Sequence, residues 1–132
     1  AVRNTEKAAL VKQEIQVNTP EASIEIIKLD LGDLSSINDF ATLFLNQYDR
    51  LDVLINNAGV MMCPYSKTKD GFEIQMGTNH LGPFALTGAL MPILKKTKGS
   101  RVVSTSSLAH LGGSINFDDL NWEKRKYKTN KA

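Results

Sequence analysis

The sequence predicts an α/β fold, a doubly wound parallel sheet with helices on both faces. Three observations support this fold class: helical and strand patterns alternate, the strand patterns are short and apolar, and the composition is that of a globular domain. Short buried strands joined by helices form parallel sheets with right-handed crossovers. The chain has 132 residues, of which 42% are hydrophobic and 23% charged, so one domain is expected.

Two helices and one strand are predicted in the first part of the chain. Apolar residues from Thr5 to Gln16 follow a helical period, and Asn4 or Thr5 is placed to cap that helix. Ser23 to Leu29 is β-branched and almost continuously apolar, as in a strand covered on both faces. From Ile37 to Tyr48, apolar side chains recur every three or four residues, which predicts a three-turn helix.

Two strands and a long helix are predicted next. Val53 to Ile55 and Arg101 to Thr105 are short apolar strands, and a helix runs between them from about Phe72 to Lys95. The uncharged stretch from Leu81 to Leu94 contains two prolines and is shorter than the roughly 20 apolar residues that a membrane-spanning helix requires. It therefore predicts a buried helix and no transmembrane segment.

Charge and cysteine content restrict the partners. The formal net charge is only +2, so the chain has no strong positive electrostatic field that would attract nucleic acid or an anionic membrane. A neutral small molecule is therefore the expected partner. The single Cys63 cannot form an internal disulfide and has no second ligand at metal-binding spacing. These features predict no metal site and a reducing compartment, the cytoplasm or the cytoplasmic face of a membrane.

The residues that follow the strands are the first candidates for a ligand site, because ligands collect beyond the carboxyl ends of parallel strands. After the strand that ends at Ile55, two amides and two small residues can brace neighbouring strands and admit a flat ligand. A simple polar turn is the alternative. The predicted positions are Arg3, Asp30, Asn56 to Gly59 and Ser104 to Ser107.

Asn79 stands out because it lies four residues before Pro83. Proline has no N–H, so the helical hydrogen bond to the Asn79 carbonyl cannot form. The sequence thus indicates either a carbonyl that is available for another partner or an ordinary kinked helix.

Four motifs occur in order along the chain: Asp30-Leu31, Asn56-Asn57-Ala58-Gly59, Thr78 to Gly82 and Val102 to Ser107. Together they resemble the motifs of the short-chain dehydrogenase/reductase family, and the similarity covers essentially the whole chain. Within the family, Asn79 to Gly82 and Ile115 to Asn121 are most similar to retinol dehydrogenases and their bacterial relatives. The resemblance implies a Rossmann-type sheet and an oxidoreductase that interconverts an alcohol and an aldehyde or ketone. The resemblance to the retinol dehydrogenase subgroup implies that this substrate is lipophilic.

The resemblance also implies site residues. Asn79 would hold a water in a proton relay through its main-chain carbonyl, and Ser107 would donate a hydrogen bond to the substrate oxygen as charge develops. These two are the predicted catalytic residues. The predicted cofactor-binding residues are Arg3, Asp30, Leu31, Asn57, Ala58, Gly59, Thr105 and Ser106.

Arg3 decides the predicted cofactor. Family members that prefer NADP place a basic residue at this point, and a guanidinium can grip the 2′-phosphate with two charge-assisted hydrogen bonds. NADP(H) is therefore preferred, with NAD(H) as the alternative. Asp30 would accept from the adenine amine. The structural alternatives are a surface arginine and an aspartate that begins a turn.

The resemblance implies that residues 1–132 form a single incomplete NAD(P)-binding domain. Neither the N-terminal glycine-rich βα unit nor the C-terminal catalytic helix is expected in it, and the full-length protein could be a homo-oligomer. Tyr127 and Lys131 have the family's Tyr-x-x-x-Lys spacing, but the subgroup's order puts the active tyrosine after Ala132. Glu123 to Lys131 also resembles a solvated charged loop, so Tyr127 is not predicted to be catalytic.

Two other functions are compatible with the pattern. One is a non-catalytic nucleotide-binding or interaction module on the same sheet. The other is an epimerase or dehydratase of the family's extended branch, which the loop after Ser107 disfavours because it resembles that of the reductase subgroup.

Overall fold

The computed structural model describes residues 1–130, in two compact units. The first unit is Ala1–Asp30, and the second begins at Leu31. The elements in chain order are α1 (Thr5–Asn18), α2 (Leu34–Gln47), β1 (Val53–Asn56), α3 (Ile74–Met76), a π-helix (Gly77–Leu81), α4 (Gly82–Lys96), β2 (Arg101–Ser104) and two 3₁₀ helices (Leu108–Gly112 and Phe117–Asp119).

The first unit contains α1 and one parallel bridge. Asn4 caps α1, and its side chain accepts a hydrogen bond from the Lys7 amide at 2.8 Å. The bridge pairs Val2 with Lys28. The prediction of a strand over Ser23 to Leu29 is wrong within residues 1–130, because the partner backbone ends where the α1 cap begins and only one bridge forms.

The second unit contains a parallel two-stranded sheet. β1 pairs with β2 in a register that joins Val53 to Arg101 and Asn56 to Ser104. The connection between the strands runs through α3, the π-helix and α4. The predicted α/β class with a parallel sheet is confirmed.

The core of the second unit lies between α2 and α4. Asp33 caps α2 by accepting hydrogen bonds from the amides of Ser35 and Ser36. Burying an aliphatic or aromatic side chain stabilises a fold by about 1.5–3 kcal/mol, so this helix pair is the main source of stability. The buried side chains are Ile37, Phe40 and Ala41 of α2 and Leu86, Leu90, Ile93 and Leu94 of α4.

The helix predicted from Phe72 to Lys95 is interrupted at its start. It begins with α3, widens into the π-helix and continues as α4, with the Gly82 amide bonded to the Gly77 carbonyl. Pro83 explains the widening, because it cannot complete the α-helical bond to the carbonyl four residues earlier and a wider turn absorbs the mismatch. The prediction of one regular helix is therefore wrong in this stretch.

Candidate active site

The parallel register brings the carboxyl ends of β1 and β2 together. The Thr105 amide donates to the Asn56 carbonyl at 3.0 Å. Its hydroxyl donates to Asn57 Oδ1, also at 3.0 Å. Two residues predicted to bind a cofactor, Asn57 and Thr105, are thus in direct contact.

Asn56 connects this edge to α4. Its Nδ2 donates to Thr87 Oγ1 at 3.0 Å, and Thr87 Oγ1 donates to the Pro83 carbonyl at 2.7 Å. Sequence reasoning missed Thr87. The available signal was its position four residues after Pro83, where a hydroxyl can reach the carbonyl one helical turn earlier.

Asn79 holds the loop that follows β1. Its Oδ1 accepts from the Val60 amide at 2.8 Å, and its Nδ2 donates to the Val60 carbonyl at 2.7 Å. A Cβ added at Gly59 would lie 3.1 Å from Asn79 Oδ1, so the glycine keeps this pairing unstrained. Both polar atoms of the Asn79 side chain are bonded to Val60. Any contact of Asn79 with a ligand or water would therefore have to use its main chain.

A cavity of about 440 Å³ opens beside these contacts. Its volume is within the range of about 300–1,000 Å³ that is common for small-molecule sites. Asn79, Thr105 and Ser106, which are predicted catalytic or cofactor-binding residues, line it, and so does His80, which has no predicted function. The lining residues are Asn56, Asn79, His80, Pro83, Phe84, Thr87, Val102, Ser104, Thr105 and Ser106.

Ser107 follows the cavity lining and is exposed. Its Oγ accepts a hydrogen bond from the Ala109 amide at 3.2 Å, which caps the first 3₁₀ helix. A hydroxyl that accepts one bond keeps its own proton for donation. His110 Nδ1 lies 2.5 Å from the Ser107 carbonyl, a partner that the sequence did not reveal.

The remaining predicted residues of the second unit either lie in the exposed loop after β1 or, in the case of Leu31, lie close to the backbone of Gly82. Asn57, Ala58 and Gly59 are all exposed, so a flat ligand can reach their backbone. A Cβ added at Gly82 would lie 2.3 Å from the Leu31 carbonyl oxygen. Only glycine therefore allows α4 to begin so close to Leu31.

In the first unit, Arg3 and Asp30 lie at the same end of the parallel bridge. The Val2 amide donates to the Ile27 carbonyl at 3.0 Å, and the Leu29 amide donates to the Val2 carbonyl at 2.9 Å. Arg3 is exposed and Asp30 is half-buried. Each of the two predicted cofactor-binding residues thus comes directly after a residue whose backbone is hydrogen-bonded in this bridge.

Tyr127 differs from the predicted solvated loop. Its neighbouring charged side chains are exposed as expected, but its own ring is half-buried between Tyr65 and Trp122, at centroid distances of 5.1 and 5.4 Å. Its hydroxyl donates to Glu73 Oε1 at 2.9 Å and accepts from Gln75 Nε2 at 3.0 Å. Residues 126–128 are not helical, and Lys131 lies outside the described residues.

Burial raises the pKa of the Tyr127 phenol, and the Glu73 carboxylate raises it further against an opposing hydrogen bond from Gln75. A raised pKa means that the fold favours the neutral phenol. This contribution to stability is complete below the ordinary tyrosine pKa and is lost as the pH rises through the folded-state value. A catalytic base needs the opposite shift.

We therefore expect the Tyr127 phenol to appear as a late component when an alkaline titration of the protein is monitored by phenolate absorbance. Tyr127→Phe should remove that late component. If the late component persisted in the variant, the assignment to Tyr127 would be wrong.

Within residues 1–130, no helix is both long and apolar enough to cross a bilayer. The same residues contain no cluster of three or more histidine, cysteine or acidic side chains that could hold a metal ion.

The fold is that of an α/β protein with a cavity at the carboxyl ends of two parallel strands. The chain belongs to the short chain dehydrogenase family, whose sequence profile matches residues 1–118.

Several human proteins and solved structures are similar to this chain. It is 48% identical to retinol dehydrogenase 13 of Homo sapiens over all 132 residues, which cover 40% of that protein. It is 54% identical to human retinol dehydrogenase 11 over 94% of this chain and 39% of that protein. The chain therefore spans about 40% of the length of these relatives.

The solved structures support the same family. A Mycobacterium paratuberculosis protein has a TM-score of 0.79 and 47% identity, with 97% of this chain and 43% of that chain covered. A metagenomic short-chain oxidoreductase in complex with NADP has a TM-score of 0.66 and 30% identity, with 82% of this chain and 50% of that chain covered.

Proposed function

We propose that this chain is the central part of an NADP-dependent oxidoreductase that interconverts a lipophilic alcohol and its aldehyde or ketone by hydride transfer. The observation that carries the proposal is the hydrogen bond between Thr105 and Asn57, which joins the ends of both strands beside the cavity. The relatives named retinol dehydrogenase support a lipophilic substrate. The complete enzyme would add a glycine-rich βα unit before residue 1 and a catalytic helix after residue 132.

The residues present fit a nicotinamide cofactor. Ala58 and Gly59 are small and exposed, and a side chain at Gly59 would press on Asn79, so the loop offers bare backbone to a flat ring. When bound, the nicotinamide supplies or accepts the hydride. Thr105 and Ser106 line the cavity where that ring would lie.

Ser107 and Asn79 are proposed to handle the substrate oxygen and its proton. The Ser107 hydroxyl retains a donatable proton and would stabilise negative charge on the substrate oxygen. The side chain of Asn79 is occupied by Val60, so its main-chain carbonyl would hold the relay water. The general acid and base would be a tyrosine beyond Ala132, because the Tyr127 hydroxyl already donates to Glu73.

The NADP preference rests on Arg3, which is exposed and follows the backbone pairing of Val2. A guanidinium there would bind the 2′-phosphate. Asp30 and Leu31 would contact the adenine. The metagenomic relative that was solved with NADP is consistent with this choice.

Arg3→Asp in the complete enzyme should shift the ratio of kcat/KM values from NADPH toward NADH. A hydrogen bond to a charged group contributes about 1.5–3 kcal/mol, so we expect a change of about 10-fold to 100-fold in that ratio. Lys12→Asp, an equal charge reversal on α1, is the matched control and should leave the ratio unchanged. An unchanged ratio in Arg3→Asp would remove Arg3 from the cofactor site.

The activity itself is tested by following NADPH absorbance in the complete enzyme with a long-chain lipophilic aldehyde and with a short polar aldehyde. We expect faster oxidation with the lipophilic substrate. Saturable NADPH binding without turnover of any alcohol or carbonyl compound would instead identify a non-catalytic module. Localisation in the cytoplasm or at the cytoplasmic face of a membrane is part of the proposal, since this is where the single free Cys63 stays reduced.

A further inference from the structure

Residues 73–79, at the start of the helical connection, carry three polar side chains that hold the flanking loops. Asn79 binds the loop after β1 through Val60. Glu73 and Gln75 bind the segment near the end of the described chain. These contacts tie the loop beside the cavity and residues 119–130 to the same short stretch of helix.

Glu73 is the central contact, and it has no exposed surface. One carboxylate oxygen accepts from the Met76 amide at 2.7 Å. The other accepts from the Gln75 amide and from the Tyr127 hydroxyl, both at 2.9 Å. A buried carboxylate is costly without such partners, so the bond to Tyr127 is energetically important.

Gln75 connects the loop that follows β1 with the segment around Tyr127. Its Oε1 accepts from the Met62 amide at 3.0 Å, in the loop that follows Gly59. Its Nε2 donates to the Tyr127 hydroxyl at 3.0 Å and to the Thr129 carbonyl at 3.1 Å. One amide side chain therefore fixes the loop beside the cavity and the backbone at residue 129 in one geometry.

Further contacts keep the segment in place around Trp122. The Arg125 guanidinium stacks on the Trp122 ring at 3.7 Å from its centroid and forms an ion pair with Asp119 at 3.3 Å. Trp122 is buried, and its ring meets Tyr127 edge to face. The segment is thus held by packing as well as by hydrogen bonds.

We propose that Tyr127, together with Glu73 and Gln75, is a positioning device that fixes the chain leaving residue 130 relative to the cavity. The proposal rests on the proposed function, because the following helix would carry the catalytic tyrosine. Tyr127 is then a positioning residue that acts through the geometry of the segment and does not touch the substrate. Loss of its hydroxyl should loosen the segment while the packed ring keeps the fold.

The test compares Tyr127→Phe with Tyr48→Phe in the complete enzyme. Tyr48 lies just after α2 and is the matched control for loss of a phenol hydroxyl. Limited trypsin digestion measures cleavage after Lys126 and Lys128, and we expect it to be about ten-fold faster in Tyr127→Phe only. We also expect kcat to fall about ten-fold, with the KM for NADPH and the midpoint of the pH profile unchanged.

Gln75→Ala provides a second route to the same result, since it removes the bonds to the Tyr127 hydroxyl and the Thr129 carbonyl together. Unchanged cleavage in both variants would overturn the device, and faster cleavage with an unchanged kcat would overturn its positioning role. A fall of on the order of 10³-fold with a displaced pH profile would make Tyr127 the catalytic base instead. If the wild-type enzyme turns over no substrate, the proposed function and the positioning role fail together, while the cleavage rates still decide whether Tyr127 holds the segment.

Discussion

Replacing Ser107 by alanine is expected to lower kcat of the complete enzyme by on the order of 10²-fold, as the loss of one donor to a developing oxyanion does. The structure supports this role, because the Ser107 hydroxyl accepts from the Ala109 amide and so keeps its proton for another acceptor. Neighbouring Ser106 and Thr105 line the cavity. The measurement is kcat at saturating NADPH and carbonyl substrate.

Ser107 also caps a short 3₁₀ helix, so its two roles must be separated. Ser107→Thr keeps both a hydroxyl and a cap and should retain most of kcat. Ser35→Ala, a hydroxyl loss on α2, should leave kcat unchanged. A Ser107→Ala enzyme with wild-type kcat would exclude Ser107 from the chemistry.

The 132-residue chain by itself is expected neither to turn over NADPH nor to unfold in one cooperative transition. Among residues 1–130, β1 pairs with β2, and two isolated bridges join Val2 to Lys28 and Lys67 to Glu73. A sheet of only two strands is marginally stable, and parallel strands normally need cover on both faces. All four residues of β2 are exposed, and Ile55 of β1 is 63% exposed.

The family resemblance implies that the complete enzyme has further strands in its sheet. Without them, the two outer edges of the β1-β2 sheet leave backbone groups unpaired. Circular dichroism during heating, with and without NADPH, measures the outcome against the complete enzyme. A sharp two-state transition that NADPH moves upward would contradict this expectation.

The elements that the sequence predicted well are those whose signal is local and whose partner lies within the chain. The helical period from Ile37 to Tyr48 corresponds to α2, whose apolar face packs on α4. The apolar runs that begin at Val53 and Arg101 form β1 and β2, because each strand supplies the backbone with which the other pairs. Asn57 and Thr105 could then be expected to meet at one edge of the sheet.

Other features depend on contacts that no local pattern encodes. Ser23 to Leu29 has strand composition but only one bridge, since a ladder also needs a partner backbone of equal length. The charged residues around Tyr127 predict a solvated loop, so its contacts with Glu73 and Gln75 could not be predicted from the local sequence. Both partners lie more than 50 residues earlier in the chain. Pro83 signalled a disturbed helix but not that the turn would widen by one residue.

That wider turn also sets the rotational phase of the helical connection. Each residue of an α-helix advances about 100° around the axis, so one residue more or less in a turn rotates everything beyond it by that amount. Glu73 and Gln75 lie before the π-helix, whereas the buried face that contains Leu90 lies after it. A one-residue deletion within Gly77–Leu81 would therefore turn the side chains of Glu73 and Gln75 away from their partners relative to the buried face of α4. Length variation among relatives should therefore be absent from this turn, even where its residue types change.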